Sequence, residues 1–329
     1  MNVRPRIADQ QFSVSDLIRA AAELATRVEP AIPRDLPLET AVFTGRILAE
    51  DVQPGLLATA HDITYLGDGC MGLAVDRSLV FGLLLAGETD RLEIEGQGPV
   101  TQAPGEALLL GFPGPTQSSR AWRAGQRSHL SGFVLTPVFF ERFADMLGND
   151  GLAGLREQLD AGGCRRLAGR SARLADLARR TLDHPYGGPL GLMFLESNTL
   201  ALVIEVAGQW GEDRRLLARL GRRPYEQAMA ARDILDAELA APPKTLDLAR
   251  RVGSNVTSLQ SHFRAVFGTT IFGYVRTRRL QMAHLMLVEH GLGVAETGYR
   301  VGFASPAAFT AAYRRHFGQP PGRAAALSR

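Results

Sequence analysis

Thr257, Gln260, Ser261 and Arg264 recur at intervals of three and four residues, the spacing that brings side chains onto one face of a helix. Together they offer neutral hydrogen-bonding groups and one guanidinium, a set suited to reading base edges and gripping phosphate rather than to breaking a bond. They sit in TLDLARRVGSNVTSLQSHFRAVFG, residues 245–268. There Thr245 is placed to cap a first helix whose apolar side is Leu246, Leu248, Ala249 and Val252. Gly253 supplies a tight turn, and Asn255 caps a second helix that buries Val256, Leu259, Phe263, Val266 and Phe267. Helix, short glycine-containing turn, helix is the spacing of a helix-turn-helix.

The layout returns in VAETGYRVGFASPAAFTAAYRRHFG. Val294, Ala295, Tyr299 and Val301 line its first helix and Gly302 makes the turn. Ser305 caps the second helix, with Pro306 in the first turn, where a missing N–H costs nothing. Phe309, Tyr313 and Phe317 point inward, leaving Ala307, Thr310, Ala311, Arg314 and Arg315 for solvent. Between the units, IFGYVRTRRLQMAHLMLVEH reads as one amphipathic helix. About 19 helical residues span roughly 28 Å at ~1.5 Å each, close to the ~34 Å between successive major-groove faces on one side of a duplex. The spacing predicts one bipartite reader of double-stranded DNA.

Charge agrees. From Arg222 onward 15 Lys/Arg stand against 7 Asp/Glu, whereas residues 1–221 hold 22 against 27, so a basic segment follows a mildly acidic one in a chain of net charge +3. The 329 residues are 45% apolar and 22% charged, ordinary values for a soluble protein with two cores. Leu79 to Ala86, the longest apolar stretch, is too short for a bilayer, and MNVRPRIADQ lacks the apolar core of a secretory signal. Cys70 and Cys164 lack metal-ligand spacing. The expectation is a cytoplasmic protein without disulfide, metal, cofactor or membrane partner.

Residues 13–28 place Leu17, Ala20, Ala21, Leu24 and Val28 at helical spacing behind Ser13 or Ser15. From Ala41 to Pro137 short apolar runs (AVFTGRIL, LVFGLLLAG, RLEIEG, EALLLGF, HLSGFVLTP) alternate with turn signals such as Gly96-Gln97-Gly98 and Pro113-Gly114-Pro115, which predicts an all-β barrel or sandwich. Helices are expected at 137–148, 171–183 and 190–210, the last apolar around most of its circumference and so buried, in its own domain or against a partner subunit. The resulting division is a helical extension (1–40), a sensor barrel (41–140), a helical dimerisation and linker region (141–221) and a DNA reader (222–329), an α+β chain in all.

Residues 225–325 resemble the DNA-binding domain of the AraC/XylS regulator family. The resemblance rests on ARRVG…L…FR..FG, on FGYVRTRRLQMAHLML and, most specifically, on GYRVGFASPAAFTAAYRRHFGQPP. It implies a seven-helix domain whose two recognition helices enter successive major grooves. Base-reading positions then fall on Thr257, Gln260, Ser261, Ala307 and Ala311, and backbone contacts on Asn255, Arg264, Ser305, Thr310, Arg314 and Arg315. Alanine at 307 and 311 departs from the polar residues common in the family, so the second helix should lean on phosphate contacts, DNA shape and the thymine methyl group. The family usually adds a ligand-sensing or dimerising partner, often a cupin-like barrel, and APGEALLLGFPG is similar to the Pro-Gly hairpin of such barrels. GLAVDRSLVFGLLLAGETDRLEIEG and the helices to Trp210 are similar to regulators that sense a siderophore such as pyochelin.

Many cupins are metalloenzymes that bind their metal through His-x-His. The barrel region has only His61 and His129, neither so paired, and no GxSxG, HExxH, phosphate loop or Rossmann fingerprint occurs. An apolar-mouthed barrel suits a small-molecule effector instead. Its expected liners are Tyr65, Phe81, Leu83, Phe112, Trp122, Arg123 and Phe133, with Trp122 and Arg123 in an exposed turn-rich stretch, 113–127, that could hold an aromatic or anionic ligand. The expectation is therefore a non-enzymatic transcription regulator, an activator touching RNA polymerase, dimeric through Leu192, Leu195, Leu202 and Val206. The rival readings are a ligand-independent regulator whose barrel only dimerises and a cupin-type enzyme.

Overall fold

A computed structural model describes residues 10–16, 27–29, 37, 39–143, 151–167, 171–289 and 292–326. The chain forms two compact units, Met1–Glu212 and Asp213–Arg329.

The first unit is built on antiparallel strands: β1 (Gln10–Ser13), β2 (Arg27–Glu29), β3 (Ala41–Gln53), β4 (Leu56–Tyr65), β5 (Gly69–Val75), β6 (Ser78–Gly87), β7 (Arg91–Ile94), β8 (Gly98–Val100), β9 (Ala107–Phe112), β10 (Thr116–Trp122), β11 (Arg127–Leu135) and β12 (Gly163–Arg166). They form a seven-stranded sheet in the order β1-β3-β4-β11-β6-β9-β12 and a five-stranded sheet in the order β2-β5-β10-β7-β8. The large sheet is buried on both faces. Val80, Leu108, Leu110 and Phe112 point into a core shared with Met71, Leu73, Ile94 and Trp122 of the small sheet. Their neighbours Leu79, Phe81, Leu83, Leu109 and Phe133 point the other way, into a second core under the helices.

Those helices are α1 (Pro137–Glu141), α2 (Gly151–Ala161), α3 (Ala172–Leu182) and α4 (Gly188–Leu220). By length and composition α4 could cross a membrane. Its inner side instead joins the second core through Leu202, Val203, Val206 and Trp210, and its buried Asn198 donates from Nδ2 to Leu177 O (3.0 Å) and Thr181 Oγ1 (3.2 Å). Leu195, Leu202 and Val206, expected to face a second subunit, are thus buried within one chain. Other expectations are also corrected. Residues 27–29 are strand, not the end of a helix, whereas Ser13, the last residue of β1, does cap the helical residues 14–16, its Oγ accepting from Asp16 N at 3.3 Å. Leu17, Ala20, Ala21 and Leu24 lie outside the described residues. The 137–148 helix shortens to α1, with 144–150 outside the described residues, and β12 interrupts a stretch read as helical.

The second unit contains α5 (Arg222–Ala237), α6 (Thr245–Arg251), α7 (Val256–Phe267), α8 (Ile271–Glu289), α9 (Val294–Arg300), α10 (Pro306–Phe317) and α11 (Pro321–Ala326). Two small cores flank α8. Tyr274 and Val275 pack with Leu248, Leu259 and Phe263, while Leu280, Ala283 and Leu287 pack with Val301, Phe309 and Tyr313. Thr245 opens α6 as its first residue, with Lys244 at the cap position and no side-chain capping bond. Leu246 and Tyr299 were expected inside, but they are 52% and 59% exposed. Ala295 is exposed as well, and Thr297 and Gly298 take the buried side of α9.

Candidate functional site

Each recognition helix starts the same way. The Asn255 side chain accepts from Ser258 N at 2.8 Å, and Ser305 Oγ accepts from Ala308 N at 3.2 Å, so both residues fix a helix N-terminus. The Asn255 amide NH2 and the Ser305 hydroxyl proton stay available to a phosphate. Gly253 and Gly302, in the turns, have φ of +66° and +88°, a backbone region that glycine enters without a Cβ penalty. Past the caps, Thr257, Gln260, Ser261 and Arg264 are exposed along α7 opposite buried Leu259 and Phe263. Along α10, Ala307, Ala311, Arg314 and Arg315 are exposed and Thr310 is half-buried, opposite Phe309 and Tyr313.

Ion pairing separates structural from available arginines. Arg278 is buried against Asp236 (Nε to Oδ1, 2.8 Å), whose other oxygen accepts from Tyr274 Oη at 2.8 Å. Arg250, Arg251 and Arg300 pair with Asp247, Glu238 and Glu296. Arg279 donates to three backbone carbonyls, those of Leu239, Gly302 and Ala240, at 2.8–2.9 Å. Arg264, Arg314 and Arg315 make no ion pair among the described residues. The cations left unneutralised here include those on the two exposed recognition faces, as binding to a polyanion requires.

The first unit carries a different kind of site. Between its two sheets lies a cavity of about 200 Å³. Tyr65, Phe81, Phe112 and Trp122 border it as expected, although the Phe81 ring itself stacks on Phe133 in the other core (centroids 4.9 Å apart). Leu83 and Phe133 do not line it, because they stand on the helix-facing row of the large sheet. Trp122 is not in an exposed loop. It ends β10, is 4% exposed and stacks on Tyr65 with centroids 4.9 Å apart. Gly69 makes room for it, since a Cβ there would come within 2.6 Å of the indole. Arg123 points away to pair with Glu88 at the surface.

Sequence reasoning missed the polar wall. His61, Asp90, Gln102 and Arg120 border the cavity. Tyr65 Oη donates to Asp90 Oδ2 (2.9 Å) and Gln126 Nε2 to Asp90 Oδ1 (3.3 Å). Burial raises the Asp90 pKa against the opposing Arg120 charge and the Tyr65 hydrogen bond. His61 shares a 2.9 Å hydrogen bond with Ser128 Oγ, and burial, then the Arg120 charge, lowers its pKa to about 3, so it is neutral. Among the described residues no three His, Cys, Asp or Glu side chains come together as a metal site.

Two helix-turn-helix units with exposed arginines, in a chain whose other unit is a cavity-bearing β-sandwich, define a DNA-binding transcription regulator with an N-terminal regulatory domain. The chain belongs to the family described as the regulatory protein PchR N-terminal domain, which it matches over residues 44–220, and residues 248–326 match an AraC-type helix-turn-helix domain. The regulatory protein PchR of Pseudomonas aeruginosa is 45% identical over 69 residues, 21% of this chain and 23% of that protein. The virulence regulon transcriptional activator VirF of Yersinia enterocolitica is 27% identical over 136 residues, 41% of this chain and 49% of VirF. The chain thus spans about a quarter to a half of the length of these curated relatives. A crystal structure of an AraC-type transcriptional regulator from Chromobacterium violaceum aligns at 27% identity over 31% of this chain and 92% of that one, with a TM-score of 0.30.

Proposed function

We propose that the chain is an effector-controlled transcription activator. In this reading residues 41–140 are the sensor barrel, 141–221 a dimerisation and linker region and 222–329 the reader. Thr257, Gln260 and Ser261 read bases in one major groove, while Ala307 and Ala311 fit the next by apolar contact. Asn255, Arg264, Ser305, Thr310, Arg314 and Arg315 hold the phosphate backbone. Gln260 is suited to adenine, whereas serine and threonine discriminate weakly. The observation that carries the reading is the partly polar cavity between the two sheets, in a chain whose other unit exposes two recognition faces. The activator role, with contact to RNA polymerase in the cytoplasm, is supported by the description of VirF as an activator. A barrel serving only dimerisation would have no use for a cavity whose wall carries an arginine without a hydrogen-bond partner.

Promoter DNA binding by the full chain, with and without candidate effectors, tests this. An effector that binds the two DNA-binding states unequally shifts DNA affinity by that difference, and one that binds the folded state raises the melting temperature by mass action. DNA binding unaffected by every compound that occupies the cavity would leave only the ligand-independent regulator.

A further inference from the structure

Arg120 is out of place in an apolar interior. It lies mid-strand in β10, whose inward row is Thr116, Ser118, Arg120 and Trp122, and it pairs in register with Met71 on one side and Leu92 on the other. Its Nε is buried without a hydrogen-bond partner, and so is the nearby Trp122 Nε1. Among the described residues its guanidinium makes no ion pair or hydrogen bond. The other polar groups of the wall do not supply one. Asp90 is taken by Tyr65 and Gln126, Gln102 Nε2 is spent on the carbonyls of Gly82 and Glu106, and His61 is held by Ser128. Arg120 is half-buried, its Nε has no hydrogen-bond partner, and the only opposing charge among the described residues of the wall, Asp90, acts on it without an ion-pair contact, so its Nη groups remain open to an acceptor in the cavity.

We infer that the cavity is a receptor for a small apolar acid, whose carboxylate is bound by Arg120 and whose hydrocarbon or aromatic body fills the space beside Leu73, Leu108, Leu110 and Phe112. This rests on the effector reading above and deepens it. A guanidinium recognises a carboxylate through paired, charge-assisted hydrogen bonds, strengthened where water is excluded. Most of the remaining wall is apolar, and His61, Asp90 and Gln102 are already engaged, so a fully polar anion would forfeit its hydration with little return. Size narrows the class further. A dry cavity of about 150 Å³ holds benzene, whereas pockets for larger organic ligands run to roughly 300–1,000 Å³. At about 200 Å³ this one fits a one- or two-ring acid, and a multi-ring iron chelate does not fit it as it stands.

The test is calorimetric titration of the full-length protein with benzoate and 1-naphthoate and with the matching neutral amides, while Trp122 emission is followed in a Trp210→Phe background. The carboxylates should bind and change the emission, and the amides should bind at least about thirtyfold more weakly, the loss expected when a buried charge is left unpaired. Arg120→Met, similar in length but uncharged, should erase the preference for the acid, and Arg120→Lys should retain part of it. Should Arg120→Met fold poorly, the acid-to-amide ratio in the unaltered protein decides alone. Acids and amides binding equally would overturn the carboxylate assignment while leaving an effector cavity. No binding by any of the four, with emission unchanged, would overturn the small-acid proposal, while the effector reading stands or falls on the promoter-binding test above.

Discussion

Arg279 Nη1 donates to the Gly302 carbonyl oxygen at 2.8 Å, so the helix joining the two helix-turn-helix units holds the turn of the second one directly. The same guanidinium bonds to Leu239 O and Ala240 O at the end of α5. A Cβ on Gly302 would come within 2.3 Å of Ala240 O and 2.7 Å of Arg279 Nη2. Arg279→Ala leaves three carbonyls without their donor and should cost about 1–3 kcal/mol. Gly302→Ala should cost at least as much, because it also strains the turn. Chemical denaturation of the full chain measures both. In footprinting, both variants should lose protection of the half-site bound by α10 before that bound by α7.

The base-reading assignment separates two variants on neighbouring surfaces. Gln260→Ala should relax preference at one or two base pairs, worth about 1–3 kcal/mol of discrimination. Arg314→Ala should weaken binding to all sequences alike and lower the salt slope by about one. Selection from random oligonucleotides reads the difference, and the reverse pattern would refute the assignment of α7 to bases and Arg314 to phosphate.

Much of the second unit was legible because its signals are local. Caps, turn glycines and apolar spacing all fall within twenty residues of one another. The errors were at Thr245, which begins α6 instead of capping it, and at Leu246, Ala295 and Tyr299, where helical periodicity marks a face but the neighbouring helices cover only part of it. In the first unit burial was easier to read than destination. Leu83 and Phe133 are buried as expected, yet a sheet covered on both faces has two interiors, and a period of two cannot say which one a residue enters. Strand β10 escaped for a related reason. Its inward row, Thr-Ser-Arg-Trp, borders a cavity rather than packed hydrocarbon, so the alternation that betrays a strand is missing.

Acid should destabilise the first unit through the histidine that borders its cavity. His61 titrates at about 3, against 6.5 unperturbed, owing to burial, then to the charges of Arg120 and His129, with Asp62 opposing. Its folded pKa lies below its unfolded one, so the unfolded chain takes up a proton that the folded chain refuses. Stability is full above about pH 6.5 and falls between there and about pH 3, by up to ~1.4 kcal/mol per pH unit from this group. His129, whose pKa burial also lowers, adds in the same direction. His61→Gln removes the titration and can keep a hydrogen bond to Ser128. Its melting temperature should therefore fall less steeply than that of the unaltered protein between pH 6.5 and 4.5, as calorimetry would show.

The dimer proposed for α4 must use a face other than the one its sequence suggested. Leu190, Met193 and Ile204 stand 63%, 65% and 69% exposed. Their intervals of three and eleven residues match a seam that repeats every seven. Ile204→Glu should convert a dimer to a monomer in sedimentation at micromolar concentration without lowering the melting temperature of the first unit. A species that sediments alike before and after the change would remove this face from the interface.

The central claim is that two exposed helices read duplex DNA, and binding of the full-length protein to promoter fragments across a salt series tests it most directly. With Arg264, Arg314 and Arg315 all engaging phosphates, log affinity should fall with log salt at a slope of about −3 or steeper, and a subset of fragments should be held at least about a thousandfold more tightly than bulk DNA. Absence of binding at low salt, or affinity that ignores salt and sequence, would contradict it.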